Sequence, residues 1–499
     1  MPDVIETLTA AIAAQETALR ESVPAERQTA LVALVRAQDR LLDDLDPTLV
    51  PPFDAIHGSA LANPGGSLAL SLVLGPDGEP SSVPDVPTAS SLDAWASPFL
   101  AGSAALADAR QVLAHLATGF MRGEIQDDGT LAVRIARKRL PPTMRERIDL
   151  AWWAAHEHRH PADDTFAAPS WQFGYLPAAE IAGHTANRWM DAVRVLTDRY
   201  GEEASPVPER DVRATLADRL AIAPDEAADI LAGLTLDATS AGWHATVPGI
   251  ASTPFVRIAT ETLMPSRFGL RSEPLLFLAR ELRRRDAPRW HNAAHQREEA
   301  FRGDLATAFS DKRFVHAPSR IQLRRDGGTL RTDIDAAIFD RKTGTLALFE
   351  LKSQDPFARS PEELDRRRDS LLAANRQLSG ILDWIRRHGP DEILDRIDHQ
   401  TAKRFHVQRV LPFVLARTLV QFNDGPAPDK RAAWGTWPDV LRLHAAGMLD
   451  PTTGNPLQTL FTRLHGLPDA PLTAPSTDQP PRTISLGRVL LVLTAAYPT

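Results

Sequence analysis

The sequence predicts a multidomain α/β protein. A core built from a mixed sheet flanked by helices, over about residues 291–425, lies behind a mostly α-helical N-terminal region. Three observations carry this. At 499 residues the chain is too long for one hydrophobic core, and roughly two to four domains are expected. Residues 1 to about 200 are dominated by helical spacing of Leu, Ala and Val. Residues 291–422 then read in order as helix, two-stranded hairpin, helix and strand.

Residues 1–48 read as helical, with the acidic stop Asp43-Asp44 near the end. The apolar run 68–74 reads as a short β segment closed by Gly75-Pro76-Asp77-Gly78, and 79–98 as a Pro/Ser-rich loop or linker. Helical patterns return as far as Tyr200, interrupted by a hairpin strand near 131–135, and a second linker falls at 201–208. Residues 201–290 read as a small helical domain. Within it, 212–220 and 225–234 form two short helices joined by Ala221-Ile222-Ala223-Pro224, a pattern shared by helix-turn-helix or winged-helix DNA readers and by any small helical bundle. Thr253-Pro254-Phe255-Val256 and a helix near 275–285 lead into the core. Beyond it, 426–499 is a C-terminal extension containing a Pro/Thr/Ser-rich, mobile linker at 469–482.

The core opens with a helix over 290–310 whose stripe is Phe301, Leu305 and Phe309. Ala336-Ala337-Ile338-Phe339 reads as one strand, Lys342-Thr343-Gly344 as its turn and Leu346-Ala347-Leu348-Phe349 as the second strand. Thr332-Asp333-Ile334-Asp335 precedes the first and Glu350-Leu351-Lys352 ends the second. Side chains alternate across a strand, so Glu350 and Lys352 share a face, as do Asp333 and Asp335. If those faces coincide, one carboxylate from each strand can hold a divalent cation while the ammonium orients or deprotonates an attacking water. That is the equipment for metal-assisted phosphodiester cleavage. A helix over 360–388 follows, with Ser360 as N-cap, Pro361 at its first position, Glu363 closing a capping box and Gly389-Pro390 as the stop. Its core stripe is Leu364, Leu371, Leu378, Leu382 and Ile385, with Gln377 just off it. Residues 407–417 give another core strand, which Pro412 limits to an edge or a bulge.

These residues resemble the PD-(D/E)XK nuclease superfamily, the restriction-endonuclease-like fold, over about residues 291–422. Its signature is an Asp on one strand and Glu-x-Lys on the next. The resemblance implies that Asp335 and Glu350 are metal ligands and Lys352 the catalytic lysine. Asp335 is preferred to Asp333 because the family's Asp usually opens the apolar part of the strand. The proline of the family name is absent, Ile334 standing in its place. Family members commonly place a glutamate on the first helix, pointing at the metal. Glu298 fits, with apolar residues three and seven places later, and Glu299 competes with it. RecB-like members carry a Gln that supports the site on the following helix, a role that would fall to Gln377. The implied protein is a Mg²⁺-dependent DNA endonuclease, with Mn²⁺ able to substitute. Chains of this build often serve anti-phage defence or DNA repair, with the N-terminal region targeting or regulating the nuclease. The alternatives are a non-cleaving nucleic-acid-binding or scaffold protein of the same fold, and a zinc metallopeptidase.

Composition narrows these classes. Apolar residues make up 43% and charged residues 24%, the balance of an ordinary globular protein. The absence of cysteine excludes disulfides and thiolate metal sites, and an oxygen-ligand site suits a hard cation such as Mg²⁺. No signal peptide is recognised, so a cytoplasmic location is expected, and the longest apolar run, 489–496, is too short to span a bilayer. A net charge of -8 argues against a protein that coats nucleic acid over its whole surface. Local cations are better placed. Arg320, Arg324, Arg325 and Arg331 precede the strand aspartates, and Arg341 and Lys342 lie at the hairpin turn. These six are the expected contacts to DNA phosphates. Arg366-Arg367-Arg368 on the next helix could do the same or pair with Glu362, Glu363 and Asp365. Oligomeric state and partner proteins are open.

His156-Glu157-His158-Arg159-His160 matches the zincin pattern His-Glu-x-x-His, which on a helix sets two imidazoles on one face as zinc ligands. Pro161 follows at once, however, and the residue before a proline disfavours the helical conformation. No third ligand is evident, although Glu180 or His184 could be nominated. A structural pair of histidines at a helix end is expected.

Overall fold

The computed structural model describes residues 3–43, 66, 68–75, 90–119, 121–135, 180–202, 205–246, 253–271, 274–324, 328–353, 361–417, 428–452, 454–465 and 482–494. The chain is a mixed α/β, multidomain protein with several sheets flanked by helices. Among the described residues no helix is long and apolar enough to cross a membrane.

The core that carries the expected site begins with helix α1 (Ala294–Ala308). Strands β1 (Phe314–His316), β2 (Ile321–Arg324), β3 (Leu330–Ile334), β4 (Ala336–Asp340) and β5 (Thr345–Lys352) follow. Then come helices α2 (Pro361–His388) and α3 (Asp391–Ile397), and strands β6 (Arg409–Ala416) and β7 (Ala433–Thr436). Helices α4 (Trp437–Ala445) and α5 (Pro456–His465) close it. Five strands form one sheet in the order β7-β6-β5-β4-β1. β4 pairs antiparallel with β5 and β1, whereas β6 runs parallel to both β5 and β7. β2 and β3 make a separate antiparallel ladder.

Alternation decides what each face of this sheet meets. Ala347, Phe349 and Leu351 of β5, with Leu411, Phe413 and Leu415 of β6, pack against Phe301 and Leu305 of α1, Val440 of α4 and Leu460 of α5. The opposite face, with Leu346, Leu348 and Val414, is covered by α2 and α3 through Leu371, Leu378, Ile381, Trp384 and Ile393. Phe349 and Phe413 stack on adjacent strands with their centroids 4.7 Å apart. Pro412 lies opposite Leu348, one residue before pairing with β7 begins at Phe413, so the half of β6 that holds the proline has a single neighbour. Helix α2 stops at Gly389, which takes φ 81°, the left-handed conformation that ends a helix cheaply only in glycine. Its expected N-cap, Ser360, lies outside the described residues.

Before the core, helices Val4–Glu21, Arg27–Asp43 and Ala186–Tyr200 match the helical reading, whereas helix Ser90–Ala117 begins inside the stretch 79–98 read as a loop or linker and carries Pro98 within it. The run 68–74 does not form a β segment. It is helical, with Leu68, Ala69, Leu70, Ser71, Leu72, Val73 and Leu74 all buried. A short apolar run is as compatible with a helix enclosed on every side as with a strand, and here enclosure wins. Helices Glu209–Leu220 and Pro224–Gly233 form the expected pair, with Ala221 between them at φ 51°.

The buried apolar residues do not separate 1–200 from 201–290. One continuous cluster runs from Leu8 through Trp189, Leu231 and Phe277 to Ala293. It also takes in Ile484, Leu486 and Leu491 from the far end of the chain. There, strands Arg482–Leu486 and Val489–Thr494 form a hairpin whose second strand runs parallel to Leu131–Ile135, with Leu491 opposite Leu131. The extension read at 426–499 is therefore divided between two cores, 433–465 serving the five-stranded sheet and 482–494 the N-terminal sheet.

This division generates a test. Removing residues 482–499 leaves Leu131 and Val133, both now fully buried, on an uncovered strand edge. The truncated protein is expected to unfold at lower temperature through its N-terminal region and to aggregate, while Phe413→Ala weakens the other core by about 3–5 kcal/mol. Calorimetry on both variants checks the assignment; identical shifts of one transition would contradict it.

A candidate active site at the end of the central strand

β5 has strands on both sides and helices on both faces, and all but its last residue are buried. Such a strand is normally apolar throughout. Glu350 is the buried charged exception, at 1% exposure, and alternation turns it and Lys352 to the α2 side of the sheet. Asp335 is the single residue between β3 and β4, at the bend where the chain passes from one ladder to the other. Its Oδ2 accepts the backbone N–H of Leu351 at 2.9 Å, which fixes the Asp335 carboxylate beside the backbone joining Glu350 to Lys352. Its carbonyl oxygen accepts from Arg302 Nε of α1 at 2.6 Å.

Lys352 Nζ lies 2.6 Å from Glu350 Oε1 and donates to Gln377 Oε1 at 3.1 Å. Gln377 Nε2 in turn donates to Asp333 Oδ1 at 3.4 Å, and Arg320 Nη1 stands 2.9 Å from Asp333 Oδ2. A chain of polar contacts thus runs from exposed Arg320 through β3 and α2 to buried Glu350. Neither Glu350 oxygen accepts a well-directed hydrogen bond, the ammonium contact being an ion pair in which the angle is poor. Glu298 is half-buried and near enough for its charge to act on both Asp335 and Lys352, whereas Glu299 is exposed.

Burial sets the protonation of the cluster. It pushes Glu350 up from 4.5 to about 8, with the Asp335 charge adding to the rise and Lys352 opposing it. It pushes Asp335 up to about 6 against the Leu351 hydrogen bond and the Lys352 charge. For Lys352 burial acts downward, but Glu350, Asp335 and Glu298 together raise the ammonium above 10.5. The lysine is therefore a charged donor in this state, not a base.

The structure brings Asp335, Glu350, Lys352, Gln377 and Glu298 together. The expected phosphate contacts divide. Arg320, half-exposed, adjoins the cluster, and Arg324 is exposed on β2, where it donates to Gly328 O at 3.0 Å. Arg325 and the Arg331 side chain lie outside the described residues, as do His156 and His160. Arg341 and Lys342 are not at the site. They occupy the turn at the other end of the β4–β5 hairpin, roughly 20 Å from Asp335 to Arg341 at about 3.4 Å per residue. Arg366 is exposed, and the side chains of Arg367 and Arg368 are outside the described residues.

Sequence reasoning passed over three supports. Arg302 follows Glu298 by one helical turn, a spacing that could have marked it. Asp333 was set aside in favour of Asp335. Arg417, whose N–H donates to Lys352 O at 3.0 Å, is almost wholly buried. It pairs with Asp304 of α1 and lies 4.1 Å over the Phe301 ring, joining α1 to the end of the sheet.

Among the described residues no set of three or more His, Cys, Asp or Glu side chains stands ready to enclose a metal ion. The donors nevertheless suit one. The candidates are all carboxylates, and Glu350 is buried with the Lys352 ammonium at Oε1 and no hydrogen-bond donor at Oε2.

A carboxyl whose folded pKa exceeds its unfolded value contributes stability while protonated, fully below the unfolded value and less as pH rises through the folded one. For Glu350 that window runs from 4.5 to about 8. Glu350→Gln should therefore gain stability relative to the parent, metal-free, across this window and hold a constant difference above it. Thermal unfolding in EDTA between pH 4.5 and 9 measures this, and parallel curves would contradict it.

Compared with protein-family models, curated proteins and solved structures, the chain matches none.

Proposed function

We propose that the chain is a metal-dependent nuclease of the PD-(D/E)XK kind, cleaving phosphodiester bonds of DNA at the end of β5. One observation carries this: a buried, incompletely hydrogen-bonded Glu350 and a charged Lys352 at the end of β5 stand beside Asp335, which immediately precedes the neighbouring strand β4 of a mixed sheet. Buried charge of this kind lowers stability unless it is matched, and it is retained where chemistry uses it. Asp335, Glu350 and Glu298 would hold the ion, for which Mg²⁺ is the natural choice and Mn²⁺ a substitute. When bound, it supplies Lewis-acid stabilisation of the charge developing on the phosphate.

The chain's own groups do the rest. Lys352 Nζ, held by Gln377 Oε1, presents an N–H to the attacking water or the developing oxyanion and stays protonated while doing so. Arg302 holds the Asp335 backbone through its carbonyl oxygen, and the Leu351 N–H keeps the Asp335 carboxylate from turning away from the strand end. Exposed Arg320 and Arg324 on the β2 side offer cations to phosphates and position the duplex without reading its bases.

The decisive experiment incubates the full chain with plasmid, linear and single-stranded nucleic acids in Mg²⁺, Mn²⁺ or EDTA. Cleavage is expected with metal and not with EDTA, and it is abolished in Asp335→Ala and Glu350→Ala proteins that retain the parent circular dichroism. Lys352→Ala should still bind DNA but turn over about 100- to 1000-fold more slowly. Undiminished cleavage by Glu350→Ala would overturn the proposal.

A further inference from the structure

We infer that Asp333 is a positioning residue. It fixes the orientation of the Gln377 side-chain amide so that its oxygen, and not its NH₂, faces Lys352 and holds the ammonium at the end of β5. The structural part of this stands on the contacts themselves; its catalytic consequence rests on the nuclease reading.

A glutamine amide has two ends of similar size and opposite character, one an acceptor and one a double donor. An ammonium can only donate. Gln377 therefore supports Lys352 in one of its two orientations, and in the other it would set N–H groups against N–H groups in a half-buried place. Lys352 alone gives a modest preference for the productive orientation. Asp333 adds a second, because its carboxylate only accepts and stands at the NH₂ end of the same amide, 3.4 Å from Nε2.

The commitments of Asp333 set it apart from its neighbours. Its Oδ2 is 2.9 Å from Arg320 and its Oδ1 is directed at Gln377, so both oxygens are engaged. Glu350 accepts no well-directed hydrogen bond. Helix α2 passes over β3 beside this pair: a Cβ placed on Gly380, one turn beyond Gln377, would reach ordinary contact with Thr332. Arg320, half-exposed, holds the outer end of the relay.

A positioning aspartate responds to substitution at residue 377 in a way that a merely structural aspartate would not. If Asp333 acts by choosing between the two ends of an amide, it becomes superfluous once position 377 has two identical ends. Gln377→Glu supplies them. With Asp333 present, the new carboxylate faces another carboxylate and the variant should be impaired; adding Asp333→Ala should then restore it. In the Gln377 background, Asp333→Ala should lower kcat about 10- to 100-fold, the usual cost of losing an outer support, with KM little changed. Asp333→Asn leaves one acceptor oxygen for two donors, Arg320 and Gln377, and should fall between Asp333→Ala and the parent. The two backgrounds together form a double-mutant cycle with a sign reversal.

A second measurement does not need cleavage. The chain has only six lysines, so the ¹³Cε signal of Lys352 can be assigned by its loss in Lys352→Arg. At fixed pH and without metal, that signal should shift in Asp333→Ala and in Gln377→Glu, and return towards its parent position in the double variant. Should Asp333→Ala not fold, Asp333→Val, better suited to a strand, takes its place. An unmoved Lys352 signal in these variants, or equal kcat losses from Asp333→Ala in both backgrounds, overturns the inference. A parent protein that cleaves nothing while the Lys352 signal behaves as described removes the nuclease reading and leaves the relay standing.

Discussion

A carboxylate sealed from water inside a sheet must be protonated, paired with a cation or both, and the end of β5 is organised around that requirement. Glu350 has β-strands on either side and helices above and below, so no water shell replaces the one it leaves on folding. Lys352 two residues on is the nearest answer, and Gln377 holds that answer in place from α2. Asp335 adds a second charge that raises the cost and is itself tied to the backbone of Leu351. An apolar residue at 350 would give a more stable sheet. The proposed metal ion would add to Lys352 the further positive charge that two neighbouring buried carboxylates call for.

The helix that closes the other face is bound into the same problem. α1 contributes Glu298 to the electrostatics of the cluster, Arg302 to the Asp335 carbonyl, and Asp304 to a buried pair with Arg417. Arg417 is sandwiched against Phe301 and Trp437, its charge kept from water by apolar rings, which pushes its pKa down. The two faces of the sheet are thereby connected across the strand ends, from α2 through Gln377 and Lys352 to α1 through Asp335 and Arg302. A shift of α1 by one residue in register would move three site contacts at once.

Much of this was legible in the sequence where local physics decides. The β4–β5 hairpin is marked by its turn and by period-2 alternation, α2 by its apolar spacing and the stop at Gly389, and Pro412 sits where β6 has a single neighbour. Strand alternation singled out the two aspartates, Glu350 and Lys352, whereas the choice of Asp335 over Asp333 and the role given to Gln377 came only with the resemblance to the nuclease superfamily. The failures share one cause, a dependence on partners remote in sequence. Leu68 to Leu74 became a helix because neighbours enclose it on every side. Arg341 and Lys342 are close to the site in sequence, but a hairpin carries its turn away from its open end. Arg320 was read as a free cation, and the carboxylate that holds it thirteen positions on gives no local sign of doing so.

The pairing of Val489–Thr494 with Leu131–Ile135 has a consequence for how the protein is made. These partners are separated by about 360 residues, which a ribosome adds in roughly 20 to 70 s. Throughout that interval strand Leu131–Ile135 has a hairpin neighbour on one side and an open edge on the other, while every residue of the five-stranded core emerges, from Ala294 to His465. The order of synthesis is thus the reverse of the order of completion: the later-made core can close first, and the earlier-made region waits with an exposed edge, in need of shelter from other nascent chains until its last hairpin arrives.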